Sequence, residues 1–187
     1  MNRVNRIQFT AVMTLVLPAP MIASAQGQMS VGAGLELMLP VGAFGDSWGT
    51  GFGATGEFDY SLSPHSSLTA KTGYISWSGK SGVTGSCSGV PLLVGLKYYS
   101  HLSGPESKMH FYGHLELGLT IVSWSVTGHI ISVSESQTSF TLSPSVGVEI
   151  PVSPNGAVDV SVRYYDMTKA GGGRGSIGVR AGYKLSL

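Results

Sequence analysis

Hydrophobic and polar residues alternate along most of this chain. The pattern is clearest between Phe111 and Ile121. Phe111, Gly113, Leu115, Leu117, Leu119 and Ile121 take the odd positions; Tyr112, His114, Glu116, Gly118 and Thr120 take the even ones. Strict alternation over this length predicts a β-strand with one apolar and one polar face, because successive side chains point to opposite sides. One strand leaves the sign of the pattern open. A soluble sheet turns the leucines into a core, whereas a membrane barrel turns them to lipid and keeps His114 and Glu116 in its lumen.

Seven further segments alternate in the same way. The first, 28–39, sets Val31, Leu35, Leu37 and Leu39 against Glu36, and the second ends at Leu62 with Phe52 and Phe58 against Glu57 and Asp59. The third, 67–78, sets Leu68 and Tyr74 against Lys71, and its alternation blurs near Ile75 and Trp77. The others cover 90–101, 137–150, 157–166 and 176–187. Turn composition marks 63–66, 103–106 and 151–156. Loops are expected over 40–50, 79–89, 126–136 and 167–175. Compact turns thus follow the even strands and longer loops the odd ones, the layout of an outer-membrane barrel. No helical periodicity of useful length appears. The pattern predicts an all-β chain folded as an eight-stranded antiparallel up-and-down transmembrane β-barrel.

Charge placement decides the sign. Beyond residue 25 the chain has 19 charged residues. Asp46, Lys80, Glu106, Lys108, Glu135, Asp166, Lys169 and Arg174 fall in expected loops, turns or strand tips. Glu36, Glu57, Asp59, Lys71, Lys97, Glu116, Glu149, Asp159, Arg163, Arg180 and Lys184 all fall on the polar face of their strands. A Lys or Arg facing the bilayer midplane of such a barrel costs about 2–4 kcal/mol, so exclusion from the apolar face is expected. A soluble β-domain would also put charges on one face, its solvated outside. Such domains are about a quarter charged, however, and this chain is 11% charged. Gly, Ser and Thr fill the rest of the polar face and suit the narrow interior of eight strands. Six acids and five bases there can pair, and with His114 they form a candidate structural network in the lumen.

The first 25 residues are set apart as a signal peptide. Arg3 and Arg6 precede the short apolar core Ala11–Leu17, and Ala23-Ser24-Ala25 supplies a small-x-small cleavage site. Residues 26–187 then form the barrel domain, with a net charge of −1 that leaves no footprint for nucleic acid. No stretch after the leader is long and apolar enough for a transmembrane helix, so a membrane location requires a closed sheet. Cys87, the single cysteine, makes no internal disulfide. It is placed in an external loop, free or open to an intermolecular disulfide.

The leader, PLLVGLKYY (91–99), SPSVGVEIPV (143–152), AVDVSVRYY (157–165) and the alternating last strand resemble the small eight-stranded outer-membrane barrels of the OmpA transmembrane domain and OmpX type. The resemblance covers about 27–187. It implies outer-membrane lipid and lipopolysaccharide around the barrel, both termini in the periplasm, and outward loops available to an extracellular partner. It also implies a C-terminal strand read by the barrel-assembly machinery, although the family usually ends in Phe and this chain ends in Leu187. Members of such a family serve as anchors, adhesins, small pores and occasionally enzymes.

Candidate chemistry is sparse. His101-Leu102-Ser103 resembles a His-x-Ser pair, but it sits at a turn on the periplasmic side. His114 and Glu116 share a strand face without an implied third ligand, so packing with Lys97 or Arg163 is expected instead. Tyr60, Tyr74, Tyr98, Tyr164 and Trp77 fit interfacial aromatic girdles. The expectation is a structural or surface-interaction protein with a plugged lumen and no catalytic, metal or cofactor site. A narrow pore and a soluble periplasmic β-barrel binding protein are the alternatives.

Overall fold

The computed structural model describes residues 27–80, 85–100, 109–127, 132–169 and 172–187. The expected leader and the His101-Leu102-Ser103 pair lie outside these residues. The strands are β1 (Met29–Val41), β2 (Trp48–Ser63), β3 (Ser66–Gly79), β4 (Gly85–Tyr99), β5 (His110–Thr127), β6 (Ser132–Ser153), β7 (Gly156–Lys169) and β8 (Gly172–Ser186). Each pairs antiparallel with the next, and β1 pairs with β8 to close an eight-stranded up-and-down barrel. One short helix, α1 (Ala43–Ser47), joins β1 to β2. It follows Gly42, whose φ of 60° is left-handed backbone that glycine adopts without strain.

The alternating faces go where lipid demands. Leu35 and Phe52 are 71% and 67% exposed on the outer surface, together with Leu115, Leu117, Leu119, Val146, Val162 and Val179. Tyr74, Tyr98 and Tyr164 also face outward. The leucines are therefore the coat of the barrel and not a core.

At the end opposite the termini, the strands run further than the alternation predicts. Within the stretches expected as loops at 40–50, 79–89, 126–136 and 167–175, β2 already begins at Trp48, β4 at Gly85, β6 at Ser132 and β8 at Gly172. The turn expected at 103–106 lies outside the described residues. Serine-rich stretches that read as loops instead extend the hairpins, tied by the hydroxyl pairs Ser86–Ser125 (3.1 Å) and Ser123–Ser136 (2.8 Å).

In this outer region the polarity of the two faces inverts. The outward positions are Ser76, Ser78, Ser86, Ser88, Ser123, Ser136 and Thr138, none of them suited to lipid. On β1, β3, β4, β5 and β7 the inward positions become apolar: Met38, Ile75, Trp77, Cys87, Val122, Tyr165 and Met167 form a buried cluster with Phe44 of α1, and Trp48 and Trp124 pack against it. Above the lipid the wall behaves as a soluble sheet, whose apolar face turns in and whose hydroxyl face meets water. Trp77 accordingly belongs to this internal cluster, 1% exposed, and not to an aromatic girdle. Its ring lies over Gly51, where a Cβ would meet the indole at 2.5 Å, and Phe44 stands edge-on to it at 5.5 Å. Cys87 is likewise not in a loop; it sits on β4 between Trp77 and Trp124 and is 1% exposed.

Candidate functional site: the ionic interior

The candidate residues sit on all eight strands: Glu36 on β1, Glu57 and Asp59 on β2, Lys71 on β3, Lys97 on β4, His114 and Glu116 on β5, Glu149 on β6, Asp159 and Arg163 on β7, and Arg180 and Lys184 on β8. All twelve point inward, because each occupies the parity opposite the lipid-facing residues of its strand. Eleven are under 9% exposed, and Lys184 stands partly open at the end nearest the termini.

Lys97 holds three carboxylates. Its Nζ donates to Glu57 Oε1 at 2.7 Å, Glu149 Oε1 at 3.2 Å and Asp59 Oδ2 at 3.3 Å, and lies 4.6 Å from the centre of the Tyr112 ring. Lys184 shares two of these acids, reaching Asp59 at 2.5 Å and Glu149 at 3.0 Å. Deeper in the barrel, Lys71 lies 3.3 Å from Glu116, 3.4 Å from Glu57 and 3.8 Å from Glu36. Arg163 Nη1 donates to Glu116 Oε2 at 2.7 Å, and Arg180 Nη1 to Asp159 Oδ1 at 2.6 Å. Each of these five cations thus meets a carboxylate, as burial of charge requires.

Small and absent side chains let these groups cross the interior. A Cβ on Gly95 would stand 2.8 Å from both Glu116 Cγ and His114 Nε2, so the strand beside them has none. The residual void among Glu57, Asp59, Lys97, Asp159, Arg180 and Lys184 is about 10 Å³, the room of a single water. Towards the termini the barrel opens into a polar vestibule of about 570 Å³, lined by Tyr99, His110, Asn155 and Ser186 and ending at Glu149 and Lys184.

His114 and Glu116 part company in the structure. Glu116 bonds Arg163, whereas His114 Nε2 shares a 2.8 Å hydrogen bond with Thr69 Oγ1 and stands 4.0 Å from Glu116 Oε1. Glu57, His114 and Glu116 bring three ligand-type atoms within 4.8 Å of one another. The ammonium of Lys71 and the guanidinium of Arg163 already stand against those carboxylates, which removes the excess negative charge a metal ion would need.

Hydroxyl groups that charge counting passed over complete the network. Tyr112 donates to Asp159 Oδ2 at 2.6 Å, Tyr99 to Glu149 Oε1 at 3.0 Å and Tyr165 to Glu36 Oε2 at 3.5 Å. Thr55 donates to Glu36 Oε1 at 3.1 Å and accepts from Arg180 Nε at 3.2 Å. Thr55, Tyr112 and Tyr165 each share an inward parity with a candidate residue two positions away: Glu57, His114 and Arg163. That shared parity was the signal available to find them.

Comparison with known proteins agrees with this geometry. The family described as outer membrane protein beta-barrel domain matches residues 9–184. No curated protein matches the chain. Among solved structures, neisserial surface protein A (NspA) is 18% identical with a TM-score of 0.62, covering 85% of this chain and 97% of its own. OprG of Pseudomonas aeruginosa is 15% identical at 0.59, covering 86% and 93%. Ail, the attachment invasion locus protein of Yersinia pestis, is 17% identical at 0.55, covering 86% and 100%. At these identities the likeness is one of fold.

Proposed function

Because the chain belongs to the outer membrane protein beta-barrel domain family and lies in the outer membrane, we propose that it serves as a plugged anchor that presents a surface for interaction outside the cell. The observation that carries this reading is the pairing of the five cations of the network with carboxylates, which leaves a void of only about 10 Å³ beside Lys97, Arg180 and Lys184. A solute path would have to break those pairs, and the apolar cluster around Trp77 and Phe44 stands beyond them. In this reading residues 1–25 are removed as a signal peptide, and both termini and the vestibule face the periplasm. Lipid and lipopolysaccharide surround the apolar coat, and the last strand, ending at Leu187, carries the signal for the assembly machinery. The serine-faced outer wall of β3–β6 stands above the membrane. No catalysis is assigned to the interior, where the carboxylates are engaged by the cations and by Thr55, Tyr99, Tyr112 and Tyr165.

The competing reading is a narrow pore, favoured by the vestibule that reaches Glu149 and Lys184 from one end. Single-channel recording in planar bilayers separates the two. The purified barrel is expected to give no discrete steps, while a variant with Lys97 and Arg163 both replaced by Ser gives them. Regular steps from the unaltered protein would overturn the plugged reading.

A further inference from the structure

Arg174 is an inward cation that the ionic network leaves out. It lies on β8 with the parity of Ser176, Gly178 and Arg180, while Ile177 and Val179 face lipid. By register it stands level with Met167 of β7 and Thr141 of β6, in the outer region where the interior is apolar. Its guanidinium lies 4.9 Å from the centre of the Trp124 ring on β5. Its charge is also felt at Cys87 of β4, where it opposes the upward push that burial gives the thiol. The side chain is half-buried, and its Nη1 is shut off from solvent with no hydrogen-bond partner among the described residues.

The chain supplies this guanidinium with no counter-ion. Lys71, Lys97, Arg163, Arg180 and Lys184 each hold a carboxylate, but among the described residues no ion pair reaches Arg174. Outside the described residues the sequence contains a single acid, Glu106, in the connection that leaves β4 at the end nearest the termini. Of the acids at the outer end, Asp46 is exposed on α1 and Asp166 has the outward parity of β7. Glu135 is exposed and lies opposite Trp124 in the β5–β6 register. A buried charged donor without an acceptor costs free energy. Contact with an aromatic ring steadies the cation while leaving its N–H groups free. Those groups form a planar fork that matches the two oxygens of a carboxylate.

We propose that Arg174 anchors a site at the outer mouth of the barrel that binds the carboxylate of a small organic acid arriving from outside the cell. This deepens the surface-interaction reading above and rests on it. A single guanidinium with Glu135 at the same end balances a monoanion better than a phosphate dianion. The apolar Met167 and Trp124 beside it suit an aliphatic or aromatic body on that acid. Ser176, fully buried on the same inward face with its Oγ unpartnered among the described residues, offers a further donor. The inward parity of Arg174 keeps lipid headgroups around the wall from reaching it, so the ligand enters through the mouth.

The test titrates sodium benzoate into the isotope-labelled barrel in zwitterionic lipid nanodiscs and follows the indole N–H signals by NMR. The Trp124 signal is assigned by its absence in Trp124→Phe. It is expected to shift saturably, while Arg174→Gln weakens binding at least tenfold. Arg174→Lys keeps the charge without the fork and is expected to fall between the two; it carries the comparison if Arg174→Gln lacks the faster unboiled gel mobility of a folded barrel. Glu135→Gln is expected to bind benzoate at least as tightly as the parent. Equal benzoate affinity in the parent and both Arg174 variants would overturn the site, as would a Trp124 signal that never shifts. Inorganic phosphate binding as tightly as benzoate would overturn the carboxylate assignment. Each of these failures leaves a surface role on the outer wall standing and the plugged lumen to be judged by conductance.

Discussion

Replacing Lys97 with methionine should test the ionic interior more sharply than any other single change. The substitution keeps an unbranched apolar stem of similar length and removes the ammonium with its three hydrogen bonds. Three carboxylates lose a partner: Glu57 at 2.7 Å, Glu149 at 3.2 Å and Asp59 at 3.3 Å. Lys184 still holds Asp59 and Glu149, so the loss falls chiefly on Glu57, whose other cation is Lys71 at 3.4 Å. Removing one partner of a buried ion pair costs about 3–5 kcal/mol, and the remaining contacts put Lys97→Met near the lower end. With a urea slope of about 1–3 kcal/mol per molar, a loss of that size moves the midpoint down by roughly 1–3 M. The assay is urea unfolding followed by tryptophan fluorescence and by heat-modified electrophoretic mobility. Neutralising the stranded acid should restore part of the loss, so Lys97→Met with Glu57→Gln should show a coupling of about 2 kcal/mol. A single variant within about 1 kcal/mol of the parent, with the double variant additive, would refute the argument that these pairs hold the barrel together.

Charge reversal gives a second contrast. Arg180→Glu deprives Asp159 of its cation and Thr55 of a donor and adds an acid beside Glu36, so little folded, heat-modifiable barrel should form. Lys80→Glu loses one contact to the Gly45 carbonyl at the rim and should cost about 1 kcal/mol or less on the same gel. Trp77→Ala should cost about 3–5 kcal/mol by opening a cavity in the outer cluster. With Trp48 and Trp124 replaced by Phe, Trp77 fluorescence should resist quenching by brominated lipid; efficient quenching would return it to the membrane interface. The Cys87 thiol should react with a maleimide only after unfolding, since the folded side chain is 1% exposed.

Much of this architecture was legible in the order of residues. Alternation of period two specifies strands, and it assigns every side chain of a strand to one of two faces without knowledge of the neighbours. Eleven charges on one parity therefore sufficed to place lipid on the other face and to name the interior residues strand by strand. Partner choice was not legible. Lys97 meets Glu149 across 52 positions and Asp59 across 38, distances set by closure and stagger of the whole barrel. Nor could the pattern show where lipid ends. Lys71, Ile75 and Trp77 keep one inward parity while its chemistry passes from charged to apolar. Locally this looks like loss of alternation, and only the height of the wall above the lipid coat reveals it as an inversion. The length of β6, 22 residues against 14 in β7, has the same origin: strand length is decided by what lies alongside, and β5 continues beside β6 to Thr127.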